Sequence, residues 1–297
     1  MHAPVAAGTL RPWRRALGTL ILVLGLVLLA LRAWQALPWE DPRLLGALAG
    51  GGMAALATAL GTLPVLLRQQ MSQRTCDTLL GFGAGVMLAA CAFSLVLPAL
   101  AAAKAQGAGP WGAGGLVGSA LLLGAALLML IDRLVPHEHF VKGTEGLRAR
   151  SLRRAWLFVL AIALHNFPEG LAIGVGYGGA DHFGANALAT GIAIQDVPEG
   201  MVVALALRSV GYGRWLSAGI GIASGLIEPV AAVMGAALMT VSVGLLPWGL
   251  AAAAGAMLFV ISHEIIPESH RQGHEAFATG GLLLGFVLMM VLDTALG

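Results

Sequence analysis

Apolar residues in this chain do not alternate with polar ones; they run on. Nine stretches, approximately residues 16–37, 44–67, 78–103, 112–134, 155–179, 184–207, 215–240, 244–267 and 277–296, are apolar with few interruptions. About 20 such residues let a helix cross the hydrocarbon of a bilayer. The strands of a membrane β-barrel would instead alternate over about ten residues each. The pattern predicts an all-α polytopic membrane protein of about nine transmembrane helices, with the lipid bilayer as its surroundings. The longest polar gap, "PHEHFVKGTEGLRARSLR" (Pro136 to Arg153), is too short for a soluble domain.

Composition agrees. Hydrophobic residues make up 58% of the 297 and charged residues 11%, with mean hydropathy +0.85; soluble domains carry about 25% charged residues. With the N-terminus placed inside, fourteen of the 17 Lys and Arg fall on inner flanks, and only Arg32, Arg43 and Lys104 on outer ones. Cytoplasmic flanks carry the basic excess in membrane proteins, so the N-terminus is expected in the cytoplasm and the C-terminus on the far side. The net charge of +2 is then inner-face anchoring and implies no nucleic-acid partner. The first stretch, "RPWRRALGTLILVLGLVLLALRAWQALP", has a basic front and a short apolar centre, as signal peptides do. We read it as a retained helix, so that residues 1–40 form an N-terminal extra span, or signal-like segment, ahead of the main membrane domain at 41–297. Cys76 and Cys91 lie about 22 Å apart on one helix at 1.5 Å per residue, too far to pair.

Against this background two segments stand out. "LHNFPEGLAIG" (Leu164 to Gly174) is echoed thirty residues later by "IQDVPEGMVVA" (Ile194 to Ala204). His165 aligns with Gln195, Asn166 with Asp196, and Glu169 with Glu199, each box carrying Pro-Glu-Gly. Consecutive spans cross in opposite directions, so the boxes are antiparallel at one depth. Paired Pro/Gly-interrupted spans point to a transporter's midplane site. Pro168 and Pro198 each deprive a carbonyl one turn earlier of its partner, and at membrane depth a freed carbonyl needs water, an ion or another donor. Glycine-rich runs such as "GFGAGVMLAACA" (Gly81 to Ala92) and "AGIGIASG" (Ala218 to Gly225) suit close helix packing. They read either as plain contacts or as smooth surfaces on which helices slide.

The charges inside the spans are one-sided. Glu169, Asp196, Glu199 and Glu228 (in "SGLIEPVAA") are mid-span, and no Lys or Arg lies between Ala155 and Leu207. Asp181 belongs to the outer turn "GGADHFGA". On insertion scales each buried acid costs about 2.5–3.5 kcal/mol, so four cost on the order of 10 kcal/mol. Protonation, water or a bound cation would relieve that cost. Protonation alone leaves the added His, Asn and Gln unexplained. His165 and Glu169 are i, i+4, and Asn166 and Glu169 are i, i+3; Gln195, Asp196 and Glu199 repeat both relations. Each helix thus shows two ligand stripes meeting at a glutamate, and two such helices could hold two metal positions bridged by Glu169 and Glu199. Mixed nitrogen and oxygen donors suit Zn²⁺ and similar divalent ions rather than an all-oxygen Ca²⁺ cage.

"HNFPEG" followed by a matching "PEG" box resembles the ZIP (Zrt-, Irt-like protein) family of divalent metal transporters, in its bacterial branch, over spans two to nine. The resemblance implies an eight-helix core with one added N-terminal span. It implies one site of His165, Gln195, Asp196 and Glu199 with Glu169 nearby, and a second of Asn166, Glu169, Asp196, Glu199 and Glu228. Met87 matches a position that contributes a thioether in similar proteins. Gln195 departs from the His of many members, and an amide oxygen is the weaker ligand. The resemblance further implies import of zinc, with cadmium or iron possible, across the bacterial inner membrane, a periplasmic C-terminus, a homodimer, an elevator-like movement, and no organic cofactor. Two outlying clusters are candidate exit or regulatory metal positions: Asp132, His137 and His139 in and before the inner loop, and His263, Glu264 and His274 near the inner end of the eighth span.

Other functions are weaker. An intramembrane metalloprotease would need HExxH, but His263-Glu264 is followed by Pro267 where a second His should stand. A metal sensor without flux is a further alternative. Lys104 and Lys142 are the only lysines and neither sits in a phosphate-binding GxxxxGK[ST] loop, so the chain is not read as an ATP-driven pump or any other enzyme.

Overall fold

The computed structural model describes residues 28, 31, 32, 34–67, 71–134 and 147–296. The expected N-terminal span falls largely outside them, as do His137 and His139. Contacts divide the chain into Met1–Glu40 and Asp41–Gly297, and the second unit is described here. Among the described residues 89% are helical and none forms a strand. Eight helices are long and apolar enough to cross a membrane: α1 (Pro42–Leu66), α2 (Gln73–Ala105), α3 (Pro110–Ile131), α4 (Ala155–Gly178), α5 (His182–Ser209), α6 (Arg214–Val241), α7 (Leu246–His270) and α8 (Glu275–Ala295).

Local chemistry sets their ends. Asp41, Ser72 and Asp181 cap α1, α2 and α5, their side chains accepting from the amides of Arg43, Thr75 and Gly184; such caps satisfy amides that a helix start leaves orphaned. Pro42, Pro110 and Pro247 occupy first turns, where no N–H is needed. Gly211 adopts φ +99°, the left-handed backbone that turns α5 into α6.

Irregularities cluster at the middle of the bundle. Helix α2 widens to π geometry over Ala90–Val96, just before Pro98, and α7 does so over Ile261–Ile265, just before Pro267. A π turn accommodates a proline's missing donor without breaking the helix. Helix α6 is interrupted at Leu226 and restarts at Ile227, with Glu228 and Pro229 in its new first turn. By contrast α4 and α5 remain α-helical through Pro168 and Pro198.

Glycine fixes the partners. A Cβ on Gly174 of α4 would lie 1.9 Å from the carbonyl oxygen of Ala232 on α6, and one on Gly200 of α5 would lie 2.0 Å from that of Thr58 on α1. Gly85 makes the same backbone approach to Leu282, joining α2 to α8, and Gly255 to Leu121, joining α7 to α3. Gly51 of α1 abuts Pro229 of α6, and Cys91 of α2 donates to the carbonyl of Ala254 on α7 at 3.7 Å. The helices thus group as α1, α4, α5 and α6, and as α2, α3, α7 and α8. Between the groups the approaches are to side chains: Gly191 of α5 meets the thioether of Met289, Gly249 of α7 the methyls of Val175, and Gly83 of α2 the side chain of Gln195. Gly81 and Gly85 of the "GFGAGVMLAACA" run are therefore locked contacts inside one group rather than a sliding face. Spans α4 and α5 are the most buried, at 65% and 72%, while α3 and α8, at 22%, are peripheral.

Candidate metal centre

The two boxes face each other at the centre of the bundle. His165, Asn166 and Glu169 of α4, Gln195, Asp196 and Glu199 of α5, and Glu228 of α6 are all at most 5% exposed. His165 Nε2 stands 3.3 Å from Glu169 Oε1 and 3.8 Å from Glu199 Oε2. Ligand atoms of these three residues all lie within 4.8 Å of one another, close enough to share one ion. Gln195 directs its amide nitrogen at Glu169 Oε1 and, at 2.9 Å, at Asp196 Oδ1. That amide does for two carboxylates part of what a cation would do.

A second cluster adjoins the first. Asn166 Nδ2 donates to Glu228 Oε1 at 3.3 Å, and Thr58 Oγ1 of α1 lies 3.2 Å from the same oxygen. Asp196 and Glu228 are both fully buried and lie within electrostatic reach of each other. The break in α6 at Leu226 places Glu228 in a helix first turn, where free amides and the helix dipole favour a negative group.

Polar atoms are left over at the same level. His165 Nδ1 and Nε2, Asn166 Oδ1, Glu169 Oε2, Asp196 Oδ2, Glu199 Oε1 and Glu228 Oε2 are buried and make no hydrogen bond. Buried polar groups are ordinarily satisfied, and these are nearly all acceptors. No lysine or arginine side chain reaches them among the described residues. Their shared deficiency is a positive charge.

Met87 of α2, 1% exposed, faces this centre from the other group. It lines a void of about 10 Å³ with Gln195, Glu199, Pro198, Gly83 and Ile265, room on the scale of one water or small ion. It is therefore not a lipid-facing methionine.

The outlying candidates separate. His263 is exposed and stacks on Phe259, ring centroids 5.0 Å apart. Glu264 is half-buried in the π turn of α7 and within electrostatic reach of His165 and Glu199. His274 is paired with Asp77 at 2.7 Å. Asp132 continues the helix of α3, which ends at Leu134, but its side chain, like His137 and His139, lies outside the described residues. Sequence reasoning missed Asp77, fully buried at the start of α2 and also bonded by Gln73 at 2.8 Å; the only signal was an acid bordering an apolar run. It missed Thr58 as well, one of two hydroxyls in α1, with no motif around it.

Fold and centre together define a multi-pass helical membrane protein with a buried, cation-seeking cluster. A family model described as ZIP Zinc transporter matches residues 137–293. Over 280 residues the chain is 49% identical to zinc transporter ZIPB of Bordetella bronchiseptica, covering 94% of this chain and 88% of that one. It is 46% identical to zinc transporter GufA of Myxococcus xanthus, covering 82% and 96%, and 33% identical to human zinc transporter ZIP11, covering 86% and 97%. The chain belongs to the ZIP family of zinc transporters.

Proposed function

We propose that this protein carries divalent metal ions, zinc first among them, through the bacterial inner membrane into the cytoplasm. The observation that carries the reading is the set of unpaired buried lone pairs converging between α4, α5 and α6. Four acids at that depth are tolerable while a divalent ion visits them, and costly otherwise.

The ion is held in two adjoining positions. His165, Glu169 and Glu199, with Gln195 and Met87 beside them, make one; Asn166, Asp196 and Glu228 make the other, with Glu169 and Glu199 between. For Gln195 to serve as a ligand its amide turns, so that oxygen replaces nitrogen at the ion. Nitrogen, oxygen and thioether donors together favour zinc and leave room for cadmium or iron. An inside-negative potential contributes about 4.6 kcal/mol per 100 mV to entry of a divalent cation, so import needs no chemical fuel.

Movement follows the two helix groups. The acids all sit on the α1/α4/α5/α6 group, whose members lock backbone to glycine, while the groups meet each other through side chains. That division supports an elevator-like displacement of the ligand-bearing group against the other, in a homodimer with the N-terminus in the cytoplasm and the C-terminus in the periplasm. The test is zinc uptake into proteoliposomes holding purified protein. Saturable uptake that rises with an inside-negative potential is expected; retention of bound zinc without flux would make the protein a sensor instead.

A further inference from the structure

Beyond the metal centre, at the end of the bundle that carries the arginines, lies a cavity of about 1080 Å³. Among the described residues, Arg208, Arg214 and Arg271 line it, against one carboxylate, Glu268, and their own contacts are sparse. Arg208 donates to the carbonyl of Tyr212, Arg214 to that of Leu66 at 3.2 Å, and Arg271 to Glu268 at 2.5 Å. A guanidinium has five N–H donors, so most donors are unspent on these partners. The rest of the lining is largely apolar, with Val65, Phe158, Val202 and Leu205 prominent.

The depth is that of a membrane interface. Trp156 donates to the Tyr212 hydroxyl at 2.9 Å with the rings edge to face, and Arg214 lies over Trp215. Indole, phenol and guanidinium groups mark the headgroup level of membrane proteins. Basic pockets between transmembrane helices on the cytoplasmic side are headgroup sites by the same logic.

We propose that this cavity binds the phosphate headgroup of an anionic phospholipid, with an acyl chain along its apolar wall. The shared chemistry is a phosphate among guanidiniums, and free phosphate from the cytosol would meet the same arginines. The apolar wall favours the lipid, since a free anion would leave water for a half-greasy surface. A consequence rests on the transport reading. Val202 lies one turn along α5 from Glu199, so an ion leaving the centre this way meets a net positive lining, which a bound phosphate cancels.

The test uses full-length protein. Native mass spectrometry would compare phosphatidylglycerol with phosphatidylcholine, for wild type, for Arg208→Gln alone, for the triple Arg208→Gln/Arg214→Gln/Arg271→Gln variant and for the triple Lys variant. Selective retention of phosphatidylglycerol is expected, falling about ten-fold in the triple Gln variant, in keeping with loss of charge-assisted contacts, and partly restored by Lys. Arg208→Gln, at an exposed helix end, is expected to show a smaller loss in the same direction even if the triple variant fails to fold. Equal retention of both lipids, or retention unchanged by Arg208→Gln and by any folded triple variant, overturns the site. Radiolabelled inorganic phosphate binding to protein in phosphatidylcholine alone, lost in the Gln variants, also overturns it, in favour of a free-anion site. Zinc flux is expected to rise several-fold when phosphatidylglycerol is added to phosphatidylcholine vesicles. Selective lipid binding with unchanged flux overturns the link to release alone, and absence of flux in every vesicle bears on the transport reading, not on the lipid site.

Discussion

The two helix groups are built from the same residues to opposite ends. Helices α1, α4, α5 and α6 hold every acid of the central cluster, and three buried acids sit within one turn of a proline: Glu169, Glu199 and Glu228. Helices α2, α3, α7 and α8 offer that cluster one thioether, Met87, and the half-buried carboxylate of Glu264 at its edge. Inside each group, glycines bring helix backbones into contact; between groups, glycines meet flexible side chains. The difference teaches that the four central acids share one glycine-locked group and that the seam beside it is lined by flexible side chains.

The largest effect that would break this comparison is steric. Gly174→Leu drives a side chain into the carbonyl of Ala232, and no folded protein is expected on size-exclusion chromatography. Gly191→Ala, across the seam, meets only the thioether of Met289; folded protein and zinc flux within about two-fold of wild type are expected, since a methionine repacks easily. Equal damage from both would erase the distinction between locked and soft contacts.

Next come the ligands. His165→Ala and Glu199→Ala are expected to cut zinc uptake by at least ten-fold, roughly the loss of one strong ligand, in proteoliposomes of normally folded protein. Without metal, Glu199→Ala should raise the melting temperature, because a buried uncompensated acid is gone. With zinc, the stabilisation that a bound ligand gives the wild type should vanish. Normal flux in both variants would refute the assignment.

Glu228→Ala should be milder, slowing uptake several-fold, because it touches the second position only. Asn166→Ala added to it should cost little more, since the two share one contact; full additivity, measured as a double-mutant cycle on uptake rates, would separate them. The smallest effect is Met87→Ala, expected to lower cadmium uptake relative to zinc by a few-fold, since a thioether favours the softer ion. An unchanged cadmium-to-zinc ratio would remove Met87 from the ligands.

Much of this arrangement was legible beforehand. Hydropathy placed the span of α4 at 155–179, and the apolar part of its helix is Ala155–Gly178, because water cannot satisfy a backbone inside lipid; the helix itself starts eight residues earlier, at Leu147, in a basic segment that hydropathy does not mark. The boxes were legible because acids at membrane depth need a reason, and helical spacing put His165, Asn166 and Glu169 on adjoining faces. What stayed hidden depends on neighbours distant in sequence. Thr58 reaches Glu228 across 170 positions and His274 reaches Asp77 across 197; nothing local marks either pair. The break in α6 at Leu226 went unread although Gly225 and Pro229 flank it, because the apolar run continues through them. The glycine run at 81–92 admitted both a sliding and a locked reading, and only the partner α8 decides between them.

The central claim is that the acids of α4, α5 and α6 are opposed by a cation. Anomalous diffraction at the zinc absorption edge, from crystals grown with zinc, tests it most directly. The account predicts one peak among His165, Glu169 and Glu199 and an adjoining one among Asn166, Asp196 and Glu228. Zinc peaks found only at surface histidines, with nothing between the two boxes, would contradict it.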